Sequence, residues 1–189
     1  TIIANDYSPD PPGQNTGYYV EVASSDATGS IINNANGTSF NCGLYVKDFL
    51  QGPYLTSSHL MRTDLAAGNY LPFSQPYTGA PWSYAGTEQV ASYPAGAVDW
   101  VLVELRTGTA ASTVVARRAG LLKNDGTLMD ISGSSPLVFH SFVPGNSYYV
   151  VMYHRSHMPV MTATAITLPN TAATQHDFTT NPAANVYST

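Results

Sequence analysis

His154 and His157 stand three residues apart, and imidazoles at close spacing are the side chains from which zinc sites are built. Along a strand, residues three apart face opposite sides, so the two could share an ion only if the chain turned at Ser156. Pro159 would allow such a turn, but no Cys is near, and Asp130 or Asp177 would have to complete the set. The residues favour a structural role, and no metal or cofactor is expected. Asp125 and Asp130 flank an Asp-Gly turn and could offer oxygens to calcium, although the turn alone accounts for Asp125. Nucleophilic hydrolysis would need a poised Ser or Cys, and no Gly-x-Ser-x-Gly elbow is present. Glycoside hydrolysis would need two facing carboxylates, and nothing singles out a pair among Glu21, Glu88, Glu104 and the aspartates. The chain reads as a non-enzyme.

Other residues suit binding. Tyr70, Tyr77, Trp82, Tyr84 and Tyr93 lie in one proline-rich stretch and offer flat faces for sugar rings, with Tyr77, Trp82 and Tyr84 the expected contacts. The competing use of the same rings is to fold inward and staple the stretch to a sheet. Asn36-Gly37-Thr38 is a sequon, so Asn36 is the expected point of glycan attachment. Asp99, Glu104, Arg106 and Arg155 fall inside segments otherwise built for burial. Such charges must pair or reach water, which predicts cross-strand pairs with Arg155 as a cation.

The elements that position these residues read as strands. Residues 98–106 and 147–155 are rich in β-branched and aromatic side chains on both faces, as in central strands covered on two sides. Trp100, Val101, Val103, Tyr149 and Val151 are the expected core. Asp125-Gly126 predicts a type I′ hairpin between 121–122 and 127–131, and 136–139 and 163–168 add short strands. Residues 40–50 read as a strand with Phe40, Cys42, Leu44 and Val46 on one face. Residues 59–67 predict one short helix, stopped at Gly68, and 69–96 a long irregular loop. The fold class is therefore all-β: an antiparallel β-sandwich, Ig-like or jelly-roll-like, over residues 39–180. An extended leader occupies 1–38 and a polar tail 181–189.

Composition narrows the setting. Charged residues are only 10% of the chain and the formal net charge is −5. The seven cations gather no patch beyond Arg117-Arg118, which excludes nucleic acid as a partner. No run near 18 apolar residues is present, so no membrane span is expected. Cys42 is the single cysteine, which rules out an intrachain disulfide and suits a small buried hydrophobe. A start at Thr1 rather than Met is what removal of a signal peptide would leave, and the neutral, Tyr-rich composition suits the cell exterior.

Several strings carry a family resemblance. VDWVLVELR (98–106), VVARRAGLLKNDGTLMDISG (114–133) and SYYVVMYHRSHMPVMTA (147–163) resemble a domain of large secreted hemagglutinin-like surface proteins of Bacteroidota, exported by the type IX system. LQGPYL, LMRTDL and HDFTT extend the likeness over roughly residues 44–180. The Gly-Asp-x-Asn-x-Asp-Gly calcium loop that often follows in that family does not occur in these 189 residues. The last strand reads HRSHM where Asn would precede the second His. The resemblance implies a secreted surface β-domain and no particular activity.

The leader suggests a role. It is rich in Pro, Gly, Asn and Ser, with Ile2-Ile3-Ala4 and residues 18–23 as apolar islands. Prolines 9, 11 and 12 hold the chain between them extended, so that it can reach a neighbour. Ile2, Ile3, Tyr18, Tyr19, Val20 and Val22 are then the expected assembly residues, adding a strand to the next copy in a head-to-tail filament or lattice. Residues 18–23 could instead be the first edge strand of their own fold. The expected function is an extracellular structural subunit, with a carbohydrate-binding or adhesive module as the alternative.

Overall fold

The computed structural model of the chain describes residues 20–23, 31–34, 40–142, 145–168, 174–180 and 182–187. In chain order the strands are β1 (Val20–Ala23), β2 (Ile31–Asn34), β3 (Phe40–Lys47), β4 (Tyr54–Leu55) and β5 (Leu60–Met61). One helical turn, α1 (Asp64–Ala67), precedes β6 (Ala97–Arg106). Then come β7 (Val114–Lys123), β8 (Leu128–Met129), β9 (Leu137–Phe142), β10 (Ser147–His154) and β11 (His157–Met161). The chain closes with β12 (Ile166–Thr167), β13 (Thr174–Asp177) and a second helical turn, α2 (Pro182–Asn185). The protein is all-β.

The largest sheet runs β11-β10-β6-β7-β8, with β12 also pairing β10. A second sheet runs β13-β3-β9. The pleat of β6 sends Val101, Val103 and Leu105 to one face and Trp100 and Leu102 to the other. The first set shares a hydrophobic cluster with Cys42, Leu44 and Val46 of β3 and Leu137 and Phe139 of β9, so the two sheets pack on a common core. The opposite face is covered by residues 69–96, whose Tyr77 is fully buried against Trp100 and Leu102. Strand β6 is therefore buried along its whole length, as continuous apolar character on both faces requires.

Most expected elements form. Trp100, Val101, Val103 and Val151 are buried, whereas Tyr149 is half-buried and Tyr148 supplies the ring in the core. Cys42 is a buried thiol, and its desolvation raises its pKa. Other expectations need correction. The Asp125-Gly126 hairpin joins β7 to β8, but only Gly126 of residues 124–126 has a positive φ, +86°. Gly126 N–H donates to Lys123 O at 2.8 Å, and Lys123 N–H donates to Thr127 O at 2.8 Å. A three-residue loop with one left-handed glycine replaces the two-residue type I′ turn. The helix expected over 59–67 is confined to Asp64–Ala67, because Leu60–Met61 pairs with Tyr54–Leu55 around a left-handed His59 (φ +57°). The strand expected over 163–168 is shortened to β12.

The ends of the chain differ more. Strand β13 pairs with β3 in parallel, against the expected antiparallel pattern. Polarity hid this strand; Phe178, directly after it, is buried in the common core. Residues 182–187 are no loose tail: Val186 bridges Thr162, and Tyr187 N–H donates to Met161 O at 2.8 Å. Inside the expected leader, β1 pairs antiparallel with a second strand, β2, whose Ile31-Ile32 signal sequence reading passed over.

Val103 has no exposed surface and lies in the central strand. Val103→Asp is expected to cost about 3 kcal/mol or more, since it buries an unpaired carboxylate. Urea denaturation checks this, and unchanged stability would contradict the placement of β6.

Candidate functional site

Glu104 and Arg106 of β6 sit on the face covered by residues 69–96. Glu104, only 3% exposed, is the focus. Its register partner on β7 is Arg117, whose Nε donates to Glu104 Oε1 at 2.6 Å. Arg106, two residues along β6, donates from Nε and Nη2 to Glu104 Oε2 at 2.9 and 2.7 Å. Tyr153 on β10 donates its hydroxyl to the same oxygen at 3.2 Å and receives Arg106 Nη2 at 2.6 Å. Burial and then the Glu104 charge raise the Tyr153 pKa, which keeps the phenol a protonated donor. Two guanidiniums thus share one carboxylate.

A second constellation lies at the other end of β6. Asp99 Oδ1 accepts from Arg155 Nη2 at 2.8 Å and from Trp100 N–H at 2.7 Å. Its Oδ2 faces His154 Nε2 at 3.1 Å. Burial pushes the Asp99 pKa up, but the His154 hydrogen bond, the Arg155 charge and the Trp100 amide outweigh it and hold the carboxyl below the ordinary aspartate value.

The turn at Arg155-Ser156 brings the two histidines together across the hairpin of β10 and β11, with ring centroids 4.8 Å apart and planes at 62°. Ser156 N–H donates to His154 Nδ1 at 3.2 Å, which puts the His154 proton on Nε2, toward Asp99. His157 Nδ1–H then donates to the same acceptor at 2.8 Å. The spacing argument against joint action falls because the turn is present. Even so, no group of three His, Cys, Asp or Glu among the described residues could hold a metal ion. Asp130 is bound to the Arg118 guanidinium, and Asp125 caps Thr127.

A cavity of about 390 Å³ opens beside the first constellation, lined by Trp82, Glu104, Arg106, Arg117, Tyr153 and His157 among others. A second cavity of about 390 Å³, with Leu50, Leu65 and Val98 in its wall, lies on the far side of the histidine pair. His154 and His157 line both, so the histidine pair stands between the two cavities, and Asp99 lines only the second.

The three expected sugar contacts have separate fates. Tyr77 is fully buried and donates its hydroxyl to Trp100 O at 2.7 Å, which removes it from any ligand surface. Trp82 stands edge-to-face on Tyr77, with centroids 5.1 Å apart at 88°, and is half-buried in the cavity wall. Tyr84 lines another cavity, of about 350 Å³, but its hydroxyl is committed to Glu88 Oε1 at 2.6 Å. Tyr70 is 79% exposed, and Tyr93 stacks on Phe73. Of the assembly residues, Val20 and Val22 lie in β1, opposite Asn34 and Ile32. Ile2, Ile3, Tyr18 and Tyr19 lie outside the described residues, as does Asn36. Sequence reading expected cross-strand pairs with Arg155 as a cation; the structure supplies Asp99 as its partner, and Arg117 and Tyr153 were passed over. Their signal was register: each reaches Glu104 from a neighbouring strand.

No family model, no curated protein and no solved structure matches the chain. The likeness to hemagglutinin-like surface domains rests on the quoted strings alone.

The histidines set a pH dependence. Burial and then the neighbouring His154 lower the His157 pKa, and burial lowers that of His176. As pH falls below about 6.5, the unfolded chain takes up these protons before the folded one does. Their contribution to stability is therefore complete above that pH and declines as pH falls toward the folded pKa values. Urea denaturation at pH 7.5 and 5.5 should show a smaller acid loss in His157→Gln than in the parent chain.

Proposed function

We propose that this chain is a secreted, non-enzymatic β-sandwich domain, of Ig-like or jelly-roll-like type, that binds carbohydrate in the cavity beside Trp82. The observation that carries this reading is the composition of the cavity wall. An indole offers an apolar face, and around it stand a carboxylate, guanidiniums and a phenol that can donate and accept hydrogen bonds. Those polar groups are already held in place by their own pairing, so a ligand meets a prearranged set rather than mobile side chains. The sugar reading moves ahead of strand addition by residues 20–23 because β1 is paired with β2 of the same chain.

Head-to-tail self-assembly is the second reading. It is favoured by the sheet edge at β11, where Met158 is 89% exposed. Pro159 in that strand removes one backbone donor, and Tyr187 occupies the Met161 carbonyl, so only part of the edge is open to a neighbour. Sedimentation separates the two readings: a monomer that binds glycans supports the first, and polymers that Met158→Lys dissolves support the second.

On a glycan array, Trp82→Ala should abolish the binding shown by the parent chain while leaving the fold intact, with a cooperative melting curve shifted down by the lost contact to Tyr77. Retained binding in that variant would remove the cavity as the site.

A further inference from the structure

We infer that the ligand of the Trp82 cavity is an acidic saccharide, recognised through its carboxylate by Arg117 and Arg155. This rests on the carbohydrate reading above and adds the class of sugar. The argument begins with charge. Arg106 and Arg117 both pair with Glu104, so one carboxylate answers two guanidiniums and the wall keeps an excess positive charge. Arg155 lines the same cavity, and its own counter-ion, Asp99, is 5% exposed behind it.

The second argument is the donor inventory. A guanidinium presents five N–H groups. Arg106 is mostly committed: Nε and Nη2 hold Glu104, Nη2 also reaches Tyr153, and one Nη1–H donates to Thr109 O at 3.4 Å. Arg117 uses Nε on Glu104 and Nη1 on Trp82 O at 3.1 Å, which leaves Nη2 without a partner among the described residues. Arg155 uses only Nη2, leaving Nε and Nη1. These two side chains are 34% and 32% exposed, against 9% for Arg106. Two part-exposed guanidiniums with open N–H edges therefore share a cavity with an indole.

A planar guanidinium matches a carboxylate through parallel hydrogen bonds, and such charge-assisted bonds are roughly twice as strong as neutral ones. A neutral sugar hydroxyl would satisfy the same N–H groups without answering the excess charge. The bond from Arg117 to the Trp82 carbonyl also ties the anion-binding group to the ring-binding residue, so both act on one ligand.

The test uses the full chain and three forms of each probe. Uronate- and sialate-bearing oligosaccharides are compared with their carboxyl methyl esters and with sulfated counterparts, by calorimetry at fixed salt. The free acids should bind at least about tenfold more tightly than the esters, a difference of about 1.4 kcal/mol. Arg117→Gln should erase that preference while keeping the weaker binding of the esters. Arg117→Lys, which keeps the charge and loses the fork, should restore only part of it. Melting curves of both variants confirm that the fold is retained. Equal binding of acids and esters, lost in Trp82→Ala, would overturn the carboxylate inference and leave the carbohydrate reading standing. Sulfated probes binding more tightly than the free acids would overturn it in favour of sulfate. Absence of binding by every probe would overturn both readings.

Discussion

Glu104 is a carboxylate in the middle of the central strand of the main sheet, and much of the structure follows from keeping it satisfied. A buried ion left without its partner costs about 3–5 kcal/mol, far more than a surface pair contributes. Arg106 answers it from the same strand, Arg117 from β7 and Tyr153 from β10, so one side chain ties three strands together. A slip of one residue in any of these pairings would turn the partner to the other face and strand the charge. The register of the sheet and the polarity of the cavity are thus one constraint. Asp99 repeats the arrangement at the other end of β6, held by Arg155 and His154.

Residues 69–96 are the second consequence. A sheet face that carries Trp100, Leu102 and a charge cluster needs a cover that is apolar in one half and polar in the other. The covering segment has little regular structure, and its side chains fasten it instead. Trp100 Nε1–H donates to Pro72 O at 2.8 Å, Tyr77 returns a bond to Trp100 O, and Gln75 Nε2 donates to Gly86 O at 2.7 Å. Packing is close at Gly86, where a Cβ would collide with the Tyr84 ring and the Glu88 carboxylate. The two uses weighed for the aromatic rings are both realised. Tyr77 staples the segment down, and Trp82, standing on Tyr77, is left at the cavity wall.

The histidine pair belongs to the same logic. His154 Nε2–H answers Asp99, and the hairpin turn then folds His157 back to answer the remaining nitrogen of His154. The hydrogen-bonded chain runs from the buried Asp99 carboxylate to His157, and both histidines line both cavities. Its first effect is to fix the β10–β11 hairpin, and with it the position of Arg155. The open edge of that guanidinium is placed by the bond its third nitrogen makes to Asp99.

The amino-acid sequence by itself determined the strand character of β3, β6, β7 and β10, because each buries apolar side chains in an uninterrupted or alternating pattern. It also determined that Asp99, Glu104, Arg106 and Arg155 must either pair or reach water, since a lone charge buried in such a strand is costly. Only the tertiary structure decided which partners they took. Arg117 is 13 residues from Glu104 and Tyr153 is 49 away, and their meeting depends on registers set by the whole sheet. Polar segments were the least legible. The polar strand β13, with Phe178 next to it, is held by β3 through backbone bonds. Residues 182–187 are held by backbone bonds to Met161 and Thr162, together with Asn185 side-chain bonds to Asp177 O and Thr180 O. Tyr77 and Trp82 show the limit most clearly: both are aromatic residues in one loop, and only the position of Trp100 beneath them sends one into the core and leaves the other at the cavity wall.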